Sequence, residues 1–240
     1  MANNSKIEWT DATWNPVTGC SKISVGCKNC YAERMAKRLQ LMGQYRYRNG
    51  FQVTLHHDLI DRPLRWYKPR RVFVNSMSDL FHDDVPFDFI KCVFETMEKC
   101  QHHIFQILTK RSKRLLEIFP LLPWPQNIWM GVTVEHESVI GRLNDLKQVP
   151  SKVRFLSCEP LIGSLPNLSL EGIHWVIVGG ESGPNARPMQ LQWVESILYQ
   201  CRQKKVPFFF KQWGGVQKHR SGRTLRGKTY DELPFSLPYS

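Results

Sequence analysis

No run of eighteen or more apolar residues occurs in this chain, so nothing in it reads as a membrane-spanning helix. The opening MANNSKIEWTD has no apolar core of the kind a signal peptide needs, and the expectation is a soluble, cytoplasmic protein with no membrane partner. HExxH, nucleophile-elbow and P-loop patterns are missing too, which removes the usual signals of zinc proteases, serine hydrolases and simple P-loop NTPases. Acidic residues are outnumbered: 21 Asp and Glu against 33 Lys and Arg leave a formal net charge of +12. That excess favours polyanionic partners, and it also raises solubility with no partner at all. The cations fall in AERMAKR, KPRR, KRSKR, CRQKK and KHRSGRTLRGK, spread along the chain. Gathered on one face they would suit DNA or RNA.

A chain of 240 residues, 42% of them hydrophobic, can bury a full core, and an α/β barrel of that length can be one domain. A single domain over 1–240 is expected, with 214–240 as a C-terminal loop and tail that lacks long apolar runs. From residue 72 one theme repeats, a short apolar run ending in a polar cluster. RVFVNSMSDLF (71–81), HIFQILTKR (103–111), IWMGVTVE (128–135), VRFLSCEP (153–160), WVIVGGESG (175–183) and PFFFKQW (207–213) each read as a strand. Between them, PFDFIKCVFETMEKC repeats Phe89, Ile90, Val93, Phe94 and Met97 at helical spacing, Gln190 to Lys205 does the same, and VIGRLNDLKQVP is shorter. Buried strands alternating with helices imply parallel pairing. Weaker strand candidates at Lys6 to Trp9 and Gln52 to Leu55 bring the count to eight. The expected fold is α/β, a TIM-barrel-like (β/α)8 or incomplete (β/α) barrel with an N-terminal metal-cluster loop.

The seven cysteines do not form a secreted-domain disulfide scaffold. Cys92, Cys100, Cys158 and Cys201 lie in apolar or helix-like contexts and are expected to be buried, reduced thiols. Cys20, Cys27 and Cys30 differ. They fall in TWNPVTGCSKISVGCKNCYAERMAKR, where Gly26 allows a turn and Tyr31 to Gln40 has good helix formers. Cys30 then sits at or just before a helix start, where exposed N–H groups favour thiolates. Three thiolates can hold three irons of a [4Fe–4S] cluster and leave the fourth iron open. Structural zinc is the competing arrangement and needs a fourth ligand such as Asp11, His56, His57 or His82.

On that cysteine loop the chain resembles the radical S-adenosylmethionine superfamily, and more closely small phage and prophage proteins of unknown function with the same loop. The second resemblance extends through the MSDLFH, LTKR, CEPL and GGESG segments. The superfamily resemblance implies a [4Fe–4S] cluster on Cys20, Cys27 and Cys30. It also implies S-adenosyl-L-methionine bound at the open iron, reductive cleavage to a 5′-deoxyadenosyl radical, and an external electron donor. The superfamily usually shows CxxxCxxC, whereas six residues separate Cys20 from Cys27 here, and Tyr31 follows the last cysteine.

In a barrel, polar residues at the C-terminal strand ends converge although far apart in sequence. Asn75, Ser78, Asp79, Lys110, Glu135, Glu159, Glu181 and Lys211 hold such positions, and Asp79, Lys110, Glu159 and Lys211 are the catalytic candidates. Gly179 and Gly180 would let backbone approach a ligand closely, and Glu181 could accept bonds from an amine or ribose hydroxyls. With Ser182 they form the cofactor-binding candidate. His102 and His103 are expected to serve solubility or capping, and His82 a relay or supporting contact near Asp79. The function expected is a radical S-adenosylmethionine-like enzyme acting on a nucleic acid or nucleotide-like anion. The alternative is a zinc- or cluster-stabilised nucleic-acid-binding protein without radical chemistry.

Overall fold

A strand buried on both faces needs cover on both, and in this chain helices supply it on one face while the sheet's own curl supplies it on the other. The computed structural model describes residue 5 and residues 7–234. In chain order its elements are β1 (Ala12–Trp14), β2 (Val17–Thr18), α1 (Tyr31–Leu41), β3 (Thr54–Leu55), β4 (Arg71–Val74), α2 (Phe87–Lys99), β5 (Ile104–Thr109), α3 (Ser112–Ile118), β6 (Ile128–Thr133), α4 (Arg142–Lys147), β7 (Val153–Cys158), β8 (Trp175–Gly179), α5 (Leu191–Gln203), β9 (Phe208–Gln212) and α6 (Lys218–Ser221). Seven strands form one sheet, every pair parallel, in the order β1-β4-β5-β6-β7-β8-β9. Spatial order follows chain order, so right-handed crossovers put the helices on one side and the sheet curls. Among the described residues no strand joins β9 back to β1. The fold is an incomplete (β/α) barrel.

The six strands expected from residue 71 onward are all present, and the two weak candidates are corrected. Lys6 lies outside the described residues, and Ile7 to Thr10 form a turn closed by Thr10 N–H donating to Ile7 O at 3.2 Å. The first barrel strand is Ala12–Trp14. Within 52–55 only Thr54–Leu55 is extended, and it pairs antiparallel with Val17–Thr18 in a separate two-stranded ribbon.

Alternation along each strand divides its side chains between the two faces. On the convex face Val72, Phe105, Ile107, Met130, Val132, Leu156, Val176, Phe208 and Phe210 belong to the main core with Ile90, Phe94, Val194 and Ile197 of α2 and α5. On the concave face Trp9, Trp129, Val153, Phe155, Trp175, Ile177 and Phe209 form a second cluster towards the N-terminal strand ends. Trp175 is its hub, meeting Trp9 at 6.1 Å, Trp129 at 6.2 Å and Phe209 at 5.9 Å between ring centres, edge to face. Gly131 makes room for this floor, since a Cβ there would lie 2.4 Å from the Phe155 ring. Further along the strands, towards their C-terminal ends, side chains become small or polar, with Thr133 and Ser157 buried.

The tail closes one side of the floor. Phe209 bridges Asp231 antiparallel, Phe210 N–H donates to Tyr230 O at 2.9 Å, and Trp175 Nε1 donates to Glu232 O at 2.7 Å. Leu233 packs on the concave cluster.

Two side-chain expectations are also corrected. Cys92 is exposed, because Phe89, Ile90, Val93, Phe94 and Met97 take the inward face of α2 and leave position 92 outside. His103 is fully buried, packed among His102, Trp66 and Phe105, and burial with the neighbouring His102 pushes its pKa down to about 4. Cys100, Cys158 and Cys201 are buried free thiols, as expected.

Candidate metal centre and barrel mouth

The cysteine loop begins where β2 ends and a glycine is required. Gly19 has φ 85°, and a Cβ on it would lie 2.1 Å from Gln52 O. Gly19 bridges Ser78 in parallel, its N–H donates to Met77 O at 3.0 Å, and Cys20 N–H donates to Phe51 O at 3.1 Å. The chain then makes one 3-10 turn over Val25–Cys27 and enters α1 with Cys30 as its N-cap residue.

Ends of different barrel strands hold this loop in place. Beyond β4 and β5, His82 Nδ1 accepts the Asp84 N–H at 3.1 Å, so the neutral ring carries its proton on Nε2, 2.7 Å from Ser21 Oγ. Arg111 Nη2 donates to the same hydroxyl at 2.8 Å while its Nη1 is paired with Asp83 at 2.6 Å. Beyond β6, Ser24 Oγ donates to Glu135, whose other oxygen takes Arg142 Nη1 at 2.9 Å. Gly26 lies directly over that carboxylate, since a Cβ on it would meet Glu135 Oε1 at 2.6 Å. Beyond β8, Glu181 accepts from Asn29 Nδ2 at 2.9 Å and from Arg187 Nε and Nη2 at 2.9 and 2.6 Å. Arg187 Nη1 reaches Val25 O at 2.9 Å, and Arg34 joins Asn29 O to Ser182 O at 2.9 and 2.5 Å.

All three loop thiols are free and partly exposed. Burial pushes Cys20 up to about 12, Asp79 adds to the rise and Arg111 opposes it. Burial also works against Cys27, but its backbone hydrogen bonds at Ile23 and Ser24, the Lys110 charge and the Ser24 hydroxyl outweigh it and hold that thiol below its ordinary pKa. Three reduced thiols on one loop at the open end are a soft donor set, suited to iron–sulfur or zinc. Among the described residues no three His, Cys, Asp or Glu stand close enough to bracket a metal ion, so ligation would draw these sulfurs together. The four side chains considered as a fourth zinc ligand are engaged: Asp11 with Arg71, His56 with Thr18, His57 against the Phe89 ring, and His82 with Ser21.

The structure brings some of the other candidates together and separates others. Lys211 Nζ donates to Glu159 Oε1 at 2.5 Å across Gly179, where a Cβ would lie 3.3 Å from the Glu159 carboxyl and 3.4 Å from Lys211 Cβ. Asp79 accepts from Phe81 N–H at 3.0 Å, Thr109 Oγ1 at 2.7 Å and Lys110 N–H at 3.0 Å, so its carboxylate ties β4 to β5. Lys110 lies near Cys27 and lines a cavity of about 400 Å³ with Ile23, Arg111, Lys113, Arg114 and Arg142. Gly180 permits a backbone approach within the sheet, for a Cβ there would meet Trp213 O at 2.0 Å. Ser182 Oγ accepts from Gln212 Nε2 at 2.8 Å. Asn75 and Ser78 support the ribbon, the first accepting from Val17 N–H at 3.2 Å and the second donating to Val17 O at 2.8 Å.

Ser21, Ser24, Asn29, Arg34, Arg142 and Arg187 were not identified as functional from sequence. Only Ser24 carried a local hint, a hydroxyl two residues before the loop glycine. The others act across separations of up to 162 residues.

The sequence matches the family described as "Protein of unknown function (DUF5131)" over residues 4–234. No curated protein matches it. Among solved structures the chain is similar to spore photoproduct lyase complexed with dinucleoside spore photoproduct, with TM-score 0.46, 14% identity, 78% of this chain and 59% of that chain covered. A substituted spore photoproduct lyase with bound AdoMet and dinucleoside spore photoproduct gives TM-score 0.46, 12% identity and coverage of 80% and 61%. The chain thus spans less than two thirds of the length of those proteins.

Proposed function

This chain belongs to the DUF5131 family of unknown function, and from its site we propose that it is a radical S-adenosylmethionine-like, iron–sulfur enzyme acting on a nucleic acid or nucleotide-like anion. The observation that carries the reading is the anchoring of one three-thiol loop to several strand ends at the mouth of an incomplete parallel barrel. Cys20, Cys27 and Cys30 are the residues that would hold the cluster. When bound there and reduced by an external electron donor, a [4Fe–4S] cluster supplies the electron that cleaves S-adenosyl-L-methionine.

The chain's own residues prepare the space around that loop. The aromatic floor of Trp9, Trp129, Phe155, Trp175 and Phe209 closes the barrel from below and excludes water from a reactive species. Gly179, Gly180, Glu181 and Ser182 are the residues that would bind the cofactor, while Glu181 fixes the loop through Asn29 and Arg187. Lys211 and Glu159 stay paired until a bound group separates them; the ammonium then takes a phosphate or carboxylate, and the carboxylate an amine or hydroxyl. Lys110 adds positive charge beside Cys27, and Asp79 positions it by holding its backbone N–H. The cavity beside the loop is lined by Lys110, Arg111, Lys113, Arg114 and Arg142 against Asp83 and Asp145, a net positive wall in which Lys110 is the cation offered to a substrate phosphate.

Anaerobic purification with iron and sulfide analysis, followed by spectroscopy with and without S-adenosyl-L-methionine, tests this. The expected result is a cluster whose spectrum changes on adding the sulfonium compound. Cys20→Ala, Cys27→Ala and Cys30→Ala should each deplete iron severely, while Cys92→Ala leaves it in place. Zinc on four protein ligands would overturn the proposal, and a cluster blind to S-adenosyl-L-methionine would favour a metal-stabilised nucleic-acid-binding protein.

A further inference from the structure

Between β3 and β4 the sequence DRPLRWYKPRR (61–71) interleaves cations, aromatics and prolines. It forms a 3-10 turn over Arg62–Arg65 and then runs into β4, which begins at Arg71. Trp66 O meets His102 Nε2 at 2.8 Å, and His102 lies just before β5 begins. This surface therefore lies towards the N-terminal strand ends, away from the cysteine loop. It borders a groove of about 670 Å³ lined by Asp58, Arg62, Arg65, Trp66, Tyr67 and Lys68, among others.

The charge of the groove is one-sided. Arg62, Arg65 and Lys68 have no ion-pair partner among the described residues, and the Asp58 carboxylate is taken by Arg46 at 3.1 and 2.6 Å. Tyr67 stands among them 92% exposed, a large ring left in water. Trp66 beside it is held by the core and lies under Arg70, 5.5 Å from guanidinium carbon to ring centre. Pro63 and Pro69 limit backbone freedom, so less entropy is lost when the segment is fixed by a ligand. A membrane surface would call for a broad apolar face, whereas Leu64 and Tyr67 are the exposed large hydrophobics of this segment. A duplex would keep its base faces from Tyr67, while a single strand offers both phosphates and open π-faces.

We propose that this groove binds single-stranded nucleic acid, with phosphates on Arg62, Arg65 and Lys68 and a base stacked on Tyr67. The inference needs no cluster and stands apart from the chemistry assigned to the mouth. Fluorescence anisotropy of the full chain with a short labelled oligothymidylate, across a salt series, tests it. Substituting Arg62→Ala, Arg65→Ala and Lys68→Ala together should weaken binding and make the log–log salt slope shallower by about 2, from roughly 0.7 per lost phosphate contact. Tyr67→Ala should weaken binding about tenfold with the slope unchanged. The triple variant should keep the iron and sulfide content of the wild type, which separates this groove from the mouth. Wild-type affinity in both the triple variant and Tyr67→Ala would overturn the proposal. So would a triple variant that loses anionic phosphatidylserine vesicles and oligonucleotide equally while Tyr67→Ala loses neither.

Discussion

At Gly26 the absence of a side chain is what the site uses. Glu135 is fully buried and already satisfied by Arg142 and Ser24, so it cannot retreat from a methyl group placed 2.6 Å away. Gly26→Ala should therefore lift the loop off its seat, costing about 1–3 kcal/mol as overpacking does. Calorimetry should show the lowered melting temperature, and iron analysis of the same preparation should show poorer cluster retention. Gly141→Ala, with nothing within 4 Å of the added carbon, should leave both unchanged. The glycine was visible in the sequence as a place where the chain could turn. Its stricter cause, a carboxylate at the end of β6, was not, because nothing local to residues 20–30 encodes which strand end will lie beneath them.

Among the elements, the loop and its supports behave as one unit, and Glu181 gives that unit a pH dependence. Burial opposes ionisation of Glu181, but hydrogen bonds from Arg187 and Asn29 outweigh it and hold its pKa below the ordinary 4.5. A carboxyl depressed in the folded state stabilises the fold above its unfolded pKa and loses that contribution as pH falls through the folded value. Glu181→Gln should thus cost about 2 kcal/mol near neutrality, and the gap from wild type should close below about pH 4.5. Thermal melts of both proteins from neutral to acid pH would show it; a gap that widened on acidification would contradict the assignment. The six later strands were legible because each apolar run stops abruptly at polar residues. Strand β1 was not: Ala12–Trp14 is three residues long and has no run to announce it. Thr54–Leu55 has strand character, but its partner proved to be Val17–Thr18, a choice made by the path of the cysteine loop between them.

For the molecule as a whole, the barrel type followed from the alternation of strands and helices, while the means of finishing its unpaired edge did not. The segment 230–233 reads as a polar tail, yet it pairs with β9, satisfies the Trp175 indole and places Leu233 on the aromatic floor. Glu232 adds a two-point pair to Arg202 at 2.9 and 2.6 Å and accepts Phe208 N–H at 2.9 Å. Truncation before Tyr230 should lower the urea midpoint and raise binding of a hydrophobic dye, since the floor would open to solvent. Among the described residues no strand joins β1 to β9, so the wall of strands is not continuous. Under the function proposed above, an unclosed wall would let a long polymer lie across it with both termini outside, one interior unit reaching towards the thiols without any end being threaded.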